Sequence, residues 1–68
     1  MISVLNSEYS YKSRYHYEFI GKSTDTKPTA TYNHRIIENG SIFVEMDTGN
    51  IYFFDEDLHA WSKYRGEM

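Results

Sequence analysis

The chain has 68 residues, and its 10 acidic and 7 basic side chains give a formal charge of -3 and a pI near 5.4. This acidic balance argues against nonspecific nucleic-acid binding, which requires a basic surface. Cysteine is absent, which excludes disulfides and thiolate metal sites. A chain this short buries only about 60% of the surface that its unfolded form exposes, so contact with another chain is the remaining source of stability.

The first ten residues, MISVLNSEYS, have no basic segment followed by a long apolar run, and no stretch approaches the length of a membrane span. We therefore expect synthesis in the cytoplasm and no membrane partner. The sequence predicts one domain over residues 1–68. Its parts are an N-terminal strand region (1–20), a polar loop (21–31), a β-meander (32–64) and a frayed tail (65–68).

Residues 9–20 alternate between aromatic and polar side chains, which predicts one long strand with an optional bulge near Ser13. A short strand around Ile2, Val4 and Leu5 is expected to tie down the N-terminus. The tyrosine-rich face either lies on the core or forms a surface for a protein partner, since tyrosine combines a large area with a polar tip. The predicted partner-binding residues are Tyr9, Tyr11, Tyr15, Tyr17 and Phe19.

The next two segments give weaker signals. Residues 21–31, GKSTDTKPTAT, are polar, hold the only proline and predict a loop. Residues 32–38, YNHRIIE, fit either a short strand or a helical turn. Asn39 and Gly40 then mark a turn into a hairpin.

Two apolar runs, 42–46 and 51–54, predict this central hairpin. A four-residue loop over 47–50, with Asn50 left-handed, pairs Val44 with Phe53 and keeps the faces separate. A two-residue turn would strain Thr48, and a three-residue loop with Gly49 left-handed would mix the faces. With Trp61 of a closing strand (59–64), the predicted core is Ile42, Val44, Met46, Ile51, Phe53 and Trp61. Both hairpin faces are substantially apolar, so something should cover each.

The predicted fold is therefore all-β, a small antiparallel sheet built as a β-meander of about four strands, with a short helical turn near residues 32–38 as an option. The acidic residues 55–57 form its second turn.

No group of residues predicts an enzyme or a cofactor site. Residues 47–49 spell the DTG of aspartic proteases, in which two such loops share one proton, but Asp and Gly are also ordinary turn residues, and we expect no hydrolase activity. Residues 55–57 lack the glycine and the later glutamate of calcium loops. The histidines, His16, His34 and His59, show no metal-ligand spacing.

Part of the chain resembles a recurrent small module of tailed-phage and prophage proteins. The resemblance is carried by STDTKPT at residues 23–29 and by NGSIFVEMDTGNIYFFDED with a following Trp at residues 39–61. The module occurs as small virion-associated or uncharacterised proteins, with no catalytic residues to transfer. This chain differs from the pattern in its spacer, TYNHRII, and the tyrosine-rich strand lies outside it.

The resemblance and the composition together lead to two expectations for function. The first is a phage-encoded, non-enzymatic structural or assembly protein, present in the host cytoplasm during synthesis and then in the virion, where it binds a capsid, connector or tail component. The alternative is a phage-encoded inhibitor whose acidic face blocks a host protein such as a defence nuclease. Either way we expect a protein partner, and the chain as a homo-oligomer or a subunit of a larger assembly.

Overall fold

The structure, a computed structural model, describes residues 1–64. The predicted frayed tail, residues 65–68, lies outside this range. Within it the chain is all-β, as predicted, and it has no helix. The strands are β1 (Ser3–Tyr9), β2 (Arg14–Gly21), β3 (Thr31–Tyr32), β4 (Arg35–Ile37), β5 (Ile42–Glu45), β6 (Ile51–Asp55) and β7 (Ala60–Lys63). They form one mixed sheet, which is larger than the predicted meander and partly parallel.

The predicted long strand over residues 9–20 is wrong, because the chain reverses direction at residues 10–13. The Ser10 N–H donates to the Arg14 carbonyl at 2.8 Å, and Tyr9 pairs with Tyr15 across the resulting hairpin. Lys12 and Ser13 hold left-handed φ angles of 50° and 63°. The spacing of two between aromatic and polar residues continues from Tyr9 through the turn to Tyr17, so periodicity alone did not reveal the reversal. The predicted N-terminal strand is present as the first part of β1.

β2 is the central strand of the sheet. One of its edges pairs antiparallel with β1, while the other pairs in parallel with β4 and then with β5. Ser41 occupies the junction between those two partners and is fully buried. Its Oγ accepts a hydrogen bond from the Tyr17 N–H at 3.1 Å and donates to the Glu38 carbonyl at 2.8 Å. The hydroxyl thus replaces the strand-to-strand bond that is missing where the chain bends.

Residues 32–38 contain strand and turn, so the helical alternative is wrong. Tyr32 pairs with Arg35 across a two-residue turn. The turn residues Asn33 and His34 have φ angles of 51° and 65°. Positive φ at both positions is the signature of a type I′ hairpin turn, whose twist matches that of the flanking strands.

The central hairpin is present, but its register differs from the prediction. Val44 pairs with Ile51, and Ile42 pairs with Phe53. The loop is therefore one residue earlier, over residues 46–49, and Gly49 is its left-handed residue, with a φ of 78°. The Gly49 N–H closes the turn on the Glu45 carbonyl at 2.8 Å. Glycine takes this conformation without the steric cost that Asn50 would pay.

The opposite face of the hairpin from the predicted one lies on the core. The fully buried apolar side chains are Tyr17, Phe19, Ile37, Phe43 and Phe54, with Trp61 half-buried against them. In the predicted set Ile42, Val44 and Ile51 are half-buried, and Phe53 and Met46 are 38% and 55% exposed. The aromatic face of the hairpin lies on the core because its rings remove more area from water than the aliphatic side chains of the other face. Its one charged residue, Glu45, pairs with a residue outside the sheet.

Candidate protein-binding surfaces

The structure divides the predicted partner-binding residues into two groups. Tyr9 and Tyr11 are 62% and 54% exposed, and Tyr15 is half-buried. Tyr17 and Phe19 are buried in the chain's own core at 2% and 0% exposure. Burial corrects the prediction for these last two, because a partner cannot reach them.

The aromatic core explains how so short a chain encloses these rings. Tyr17 stacks on Phe19 with ring centroids 4.9 Å apart, and Tyr32 meets both rings edge-on at 5.6 and 5.0 Å. The Tyr17 hydroxyl donates to the Tyr32 carbonyl at 3.2 Å. Edge-to-face and offset-stacked contacts are favourable beyond the area they bury. Tyr17 and Phe19, which the sequence assigned to a partner, therefore pack on each other and on Tyr32.

The loop over residues 22–30 covers this core and is held down by a buried ion pair. Lys27 Nζ lies 2.7 Å from Glu45 Oε2, and Glu45 is 3% exposed. The same ammonium lies over the rings of Phe43 and Tyr52, at 4.8 and 4.6 Å from their centroids. Thr48 Oγ1 donates to the other carboxylate oxygen at 2.7 Å. The pKa of Glu45 is lowered, most by the hydrogen bond from Lys27 and next by the hydrogen bond from Thr48.

Further bonds join this loop to the hairpin and to β7. The Trp61 Nε1–H donates to the Pro28 carbonyl at 2.8 Å. Asp47, in the DTG turn, accepts hydrogen bonds from the Ser23 hydroxyl at 2.6 Å and from the Ser23 N–H at 2.9 Å. The pKa of Asp47 is lowered, most by the hydrogen bond from the Ser23 hydroxyl and next by the hydrogen bond from the Ser23 N–H. The carboxylate thus fastens two loops together, a role the sequence did not predict.

The other face of the sheet carries a partly exposed apolar patch on β2, β5 and β6, bordered on β2 by Glu18, which pairs with Ile42. The register places its side chains next to one another on β2, β5 and β6, and the ring of Phe53 meets that of Tyr64 edge-on at 5.7 Å. Phe53 and Tyr64 are 38% and 47% exposed. We call this surface the open face; it consists of Ile20, Ile42, Val44, Ile51, Phe53 and Tyr64.

β1 forms a second accessible surface. Among the strands of residues 1–64 it pairs only with β2, so within this range the backbone groups on its outer edge have no strand partner. All seven of its residues are exposed, including Val4 and Leu5 at 40% and 61%. An exposed strand edge is a template for pairing with another chain.

The acidic turn after β6 is largely engaged within the chain. Asp55 Oδ1 accepts hydrogen bonds from the Asp57 and Leu58 N–H groups at 3.0 and 3.2 Å. Glu56 pairs with Arg14 at 2.9 Å, beside a cleft of about 370 Å³ whose wall includes Phe54.

Metal-ligating side chains do not cluster in the part of the chain that is described, where no group of three or more is placed to hold an ion. His59 Nδ1 lies 3.2 Å from the Thr29 carbonyl, and His16 Nε2 lies 3.9 Å from Glu18. Over residues 1–64, no helix has the length and apolar character needed to cross a membrane.

Comparisons with protein-family models, with curated proteins and with solved structures each find no match to this chain. The two exposed surfaces therefore carry the functional argument.

Proposed function

We propose that the chain is a non-enzymatic structural or assembly protein of a tailed phage, and that it binds a capsid, connector or tail protein through the open face. The observation that carries this proposal is the apolar surface on β2, β5 and β6, which Tyr64 extends through its contact with Phe53. Apolar patches of this kind on small proteins mark protein interaction sites. Aromatic residues such as Phe53 and Tyr64 are enriched in interfaces of this type.

The architecture supports a binding role because the open face is rigidly presented. Its side chains project from strands whose opposite face packs on the aromatic core, so they are fixed before a partner arrives. Preorganisation reduces the entropy that binding costs. The sequence resemblance adds the phage context, since STDTKPT and the NGS to Trp61 segment are the residues that match the phage module. In this structure the two motifs meet: Lys27 of the first pairs with Glu45 of the second.

The decisive experiment is mass spectrometry of purified particles of the phage that carries the gene. We expect peptides of this chain in the particles. A Val44→Lys variant, which places a charge on the open face, should be lost from them. The matched control is Thr24→Lys, which adds the same charge to an exposed loop position and should leave incorporation unchanged. Circular dichroism of the purified variants verifies that both are folded.

Absence of the wild-type chain from washed particles would overturn the virion role. Equal incorporation of both lysine variants would overturn the assignment of the open face. The inhibitor alternative has weaker support, because Asp55 and Glu56 of the acidic turn already bond within the chain. Capture of a host nuclease by the purified chain, together with its absence from particles, would favour that alternative.

A further inference from the structure

We propose that the outer edge of β1 is a self-association site, at which the β1 strands of two copies pair antiparallel about a two-fold axis. The occupant of this edge is thus a second copy of the same chain. The open face is a different surface, so the proposal does not depend on what the open face binds.

The edge has few of the features that protect natural strand edges from pairing, namely a β-bulge between Val4 and Asn6 and the charge of Glu8. Edge strands are usually short or carry lysine, proline or a strong twist. β1 extends over seven residues and contains neither lysine nor proline. It has one irregularity, a register shift between Val4 and Asn6. By comparison, β3 at the far end of the sheet has two residues, and β7 carries Lys63.

The hydrogen-bond pattern of the β1–β2 hairpin identifies the backbone groups that point outward. Ser10 bonds to Arg14, so the hydrogen-bonded pairs that precede it are Glu8 with His16 and Asn6 with Glu18. Residues of β2 thus alternate between bonding towards β1 and bonding away from it. The Tyr17 N–H follows this alternation, because it donates to Ser41 on the side of β2 that is opposite β1. Ser7, which pairs with Tyr17, therefore directs its N–H and carbonyl away from the sheet.

Pairing centred on Ser7 is self-complementary in charge and in shape. It sets the Ser7 residues of the two copies opposite each other and Asn6 opposite Glu8, and it brings Tyr9 of each copy towards Leu5, the bulged residue, of the other. Leu5 and Tyr9 are 61% and 62% exposed in the single chain, and aromatic–aliphatic cross-strand pairs stabilise sheets. Glu8 is the only charged side chain of β1. In this register the two Glu8 carboxylates face amides and not each other.

The test compares Ser7→Pro with Ser7→Ala by sedimentation equilibrium. Proline removes the outward N–H, whereas alanine retains it. We expect the wild type and Ser7→Ala to form dimers with similar Kd, and Ser7→Pro to raise the Kd about 30-fold, because one hydrogen bond is lost from each copy. A Phe53→Ser variant on the open face should dimerise like the wild type.

Amide hydrogen exchange of the wild type provides a measurement that requires no variant. The Ser7 and Tyr9 N–H groups should be protected at concentrations where the dimer forms, and should exchange freely on dilution. A monomer mass at all concentrations, or a dimer that Phe53→Ser disrupts and Ser7→Pro does not, overturns the proposal. Either result leaves the virion role to be judged separately by particle composition.

Discussion

Replacing Phe43 and Phe53 in turn tests which face of the central hairpin holds the fold together. The two residues lie on adjacent strands and share the same side chain, but Phe43 is fully buried and Phe53 is 38% exposed. The Phe43 ring lies 6.1 Å from that of Phe19 and 5.9 Å from that of Trp61. The same substitution should therefore cost much more stability at position 43 than at position 53.

The magnitude follows from burial. Truncating a buried phenylalanine to alanine costs about 3 to 5 kcal/mol, which equals the whole stability of about 3 to 5 kcal/mol expected of a domain this small. Phe43→Ala should therefore be unfolded. Leucine retains most of the apolar volume, so Phe43→Leu should cost about 1 to 2 kcal/mol and remain measurable. Phe53→Leu changes a side chain that is partly in water and should cost about 0.5 kcal/mol.

The assay is urea unfolding followed by far-UV circular dichroism and by the fluorescence of Trp61, at one fixed low protein concentration. For a slope of about 1 kcal/mol per molar urea, the midpoint should fall by roughly 1 to 2 M for Phe43→Leu and by about 0.5 M for Phe53→Leu. Equal shifts, or a larger one for Phe53→Leu, would refute the assignment of the core face. Such a result would mean that the face of Ile42, Val44 and Phe53 lies on the core, as the sequence predicted.

Four further substitutions test individual contacts. Lys27→Met should lower the urea midpoint more than Lys22→Met at an exposed site, because it leaves a buried carboxylate without its cation; equal shifts would contradict the ion-pair role. Asp47 has a lowered pKa, so the stability that its carboxylate adds is complete above its unfolded pKa of about 3.9 and is lost as the pH falls through the folded pKa. The Asp47→Asn variant should therefore lose less stability than the wild type between neutral pH and pH 3. An unchanged dependence of stability on pH would contradict this role of Asp47. Ser41→Ala should destabilise by about 1 to 3 kcal/mol in thermal unfolding, since a buried backbone N–H loses its acceptor, and a neutral effect would show that the backbone closes the gap. His34→Gly should raise the thermal midpoint by an amount equivalent to about 1 kcal/mol, because the φ of 65° favours glycine; a lower midpoint would mean that the imidazole makes a stabilising contact.

Local patterns were sufficient to predict part of the strand content of the chain. Apolar and aromatic runs at 42–46 and 51–54, bounded by turn residues, were sufficient to predict the central hairpin, and the segment around Trp61 predicted the closing strand. These elements depend on side chains close in sequence, whose periodicity and turn preferences act locally. The tight turn at residues 10–13 escaped prediction because it contains neither glycine nor proline and the alternation continues through it.

The surfaces were harder to predict from sequence, for the same reason that the core face was. Tyr9 and Tyr11 are exposed as the partner hypothesis requires, while Tyr17 and Phe19, in the same alternating pattern, are buried. Alternation shows which residues share a face but does not show which face another segment will cover. Four residues of the open face, Ile42, Val44, Ile51 and Phe53, had been predicted to lie in the core.

Tertiary structure decided the face, the register and the parallel pairing. Glu45 is the one charged residue on the aromatic face of the hairpin, and its partner Lys27 lies 18 residues earlier, in the covering loop. β2 pairs in parallel with β4 and β5, and no tight turn connects these strands. The sequence therefore contains no local turn motif from which this pairing could be predicted. The sequence by itself thus determined the central hairpin and the closing strand, because their patterns are local. Which side of them meets water depended on a charge pair and a strand order that exist only once distant parts of the chain have come together.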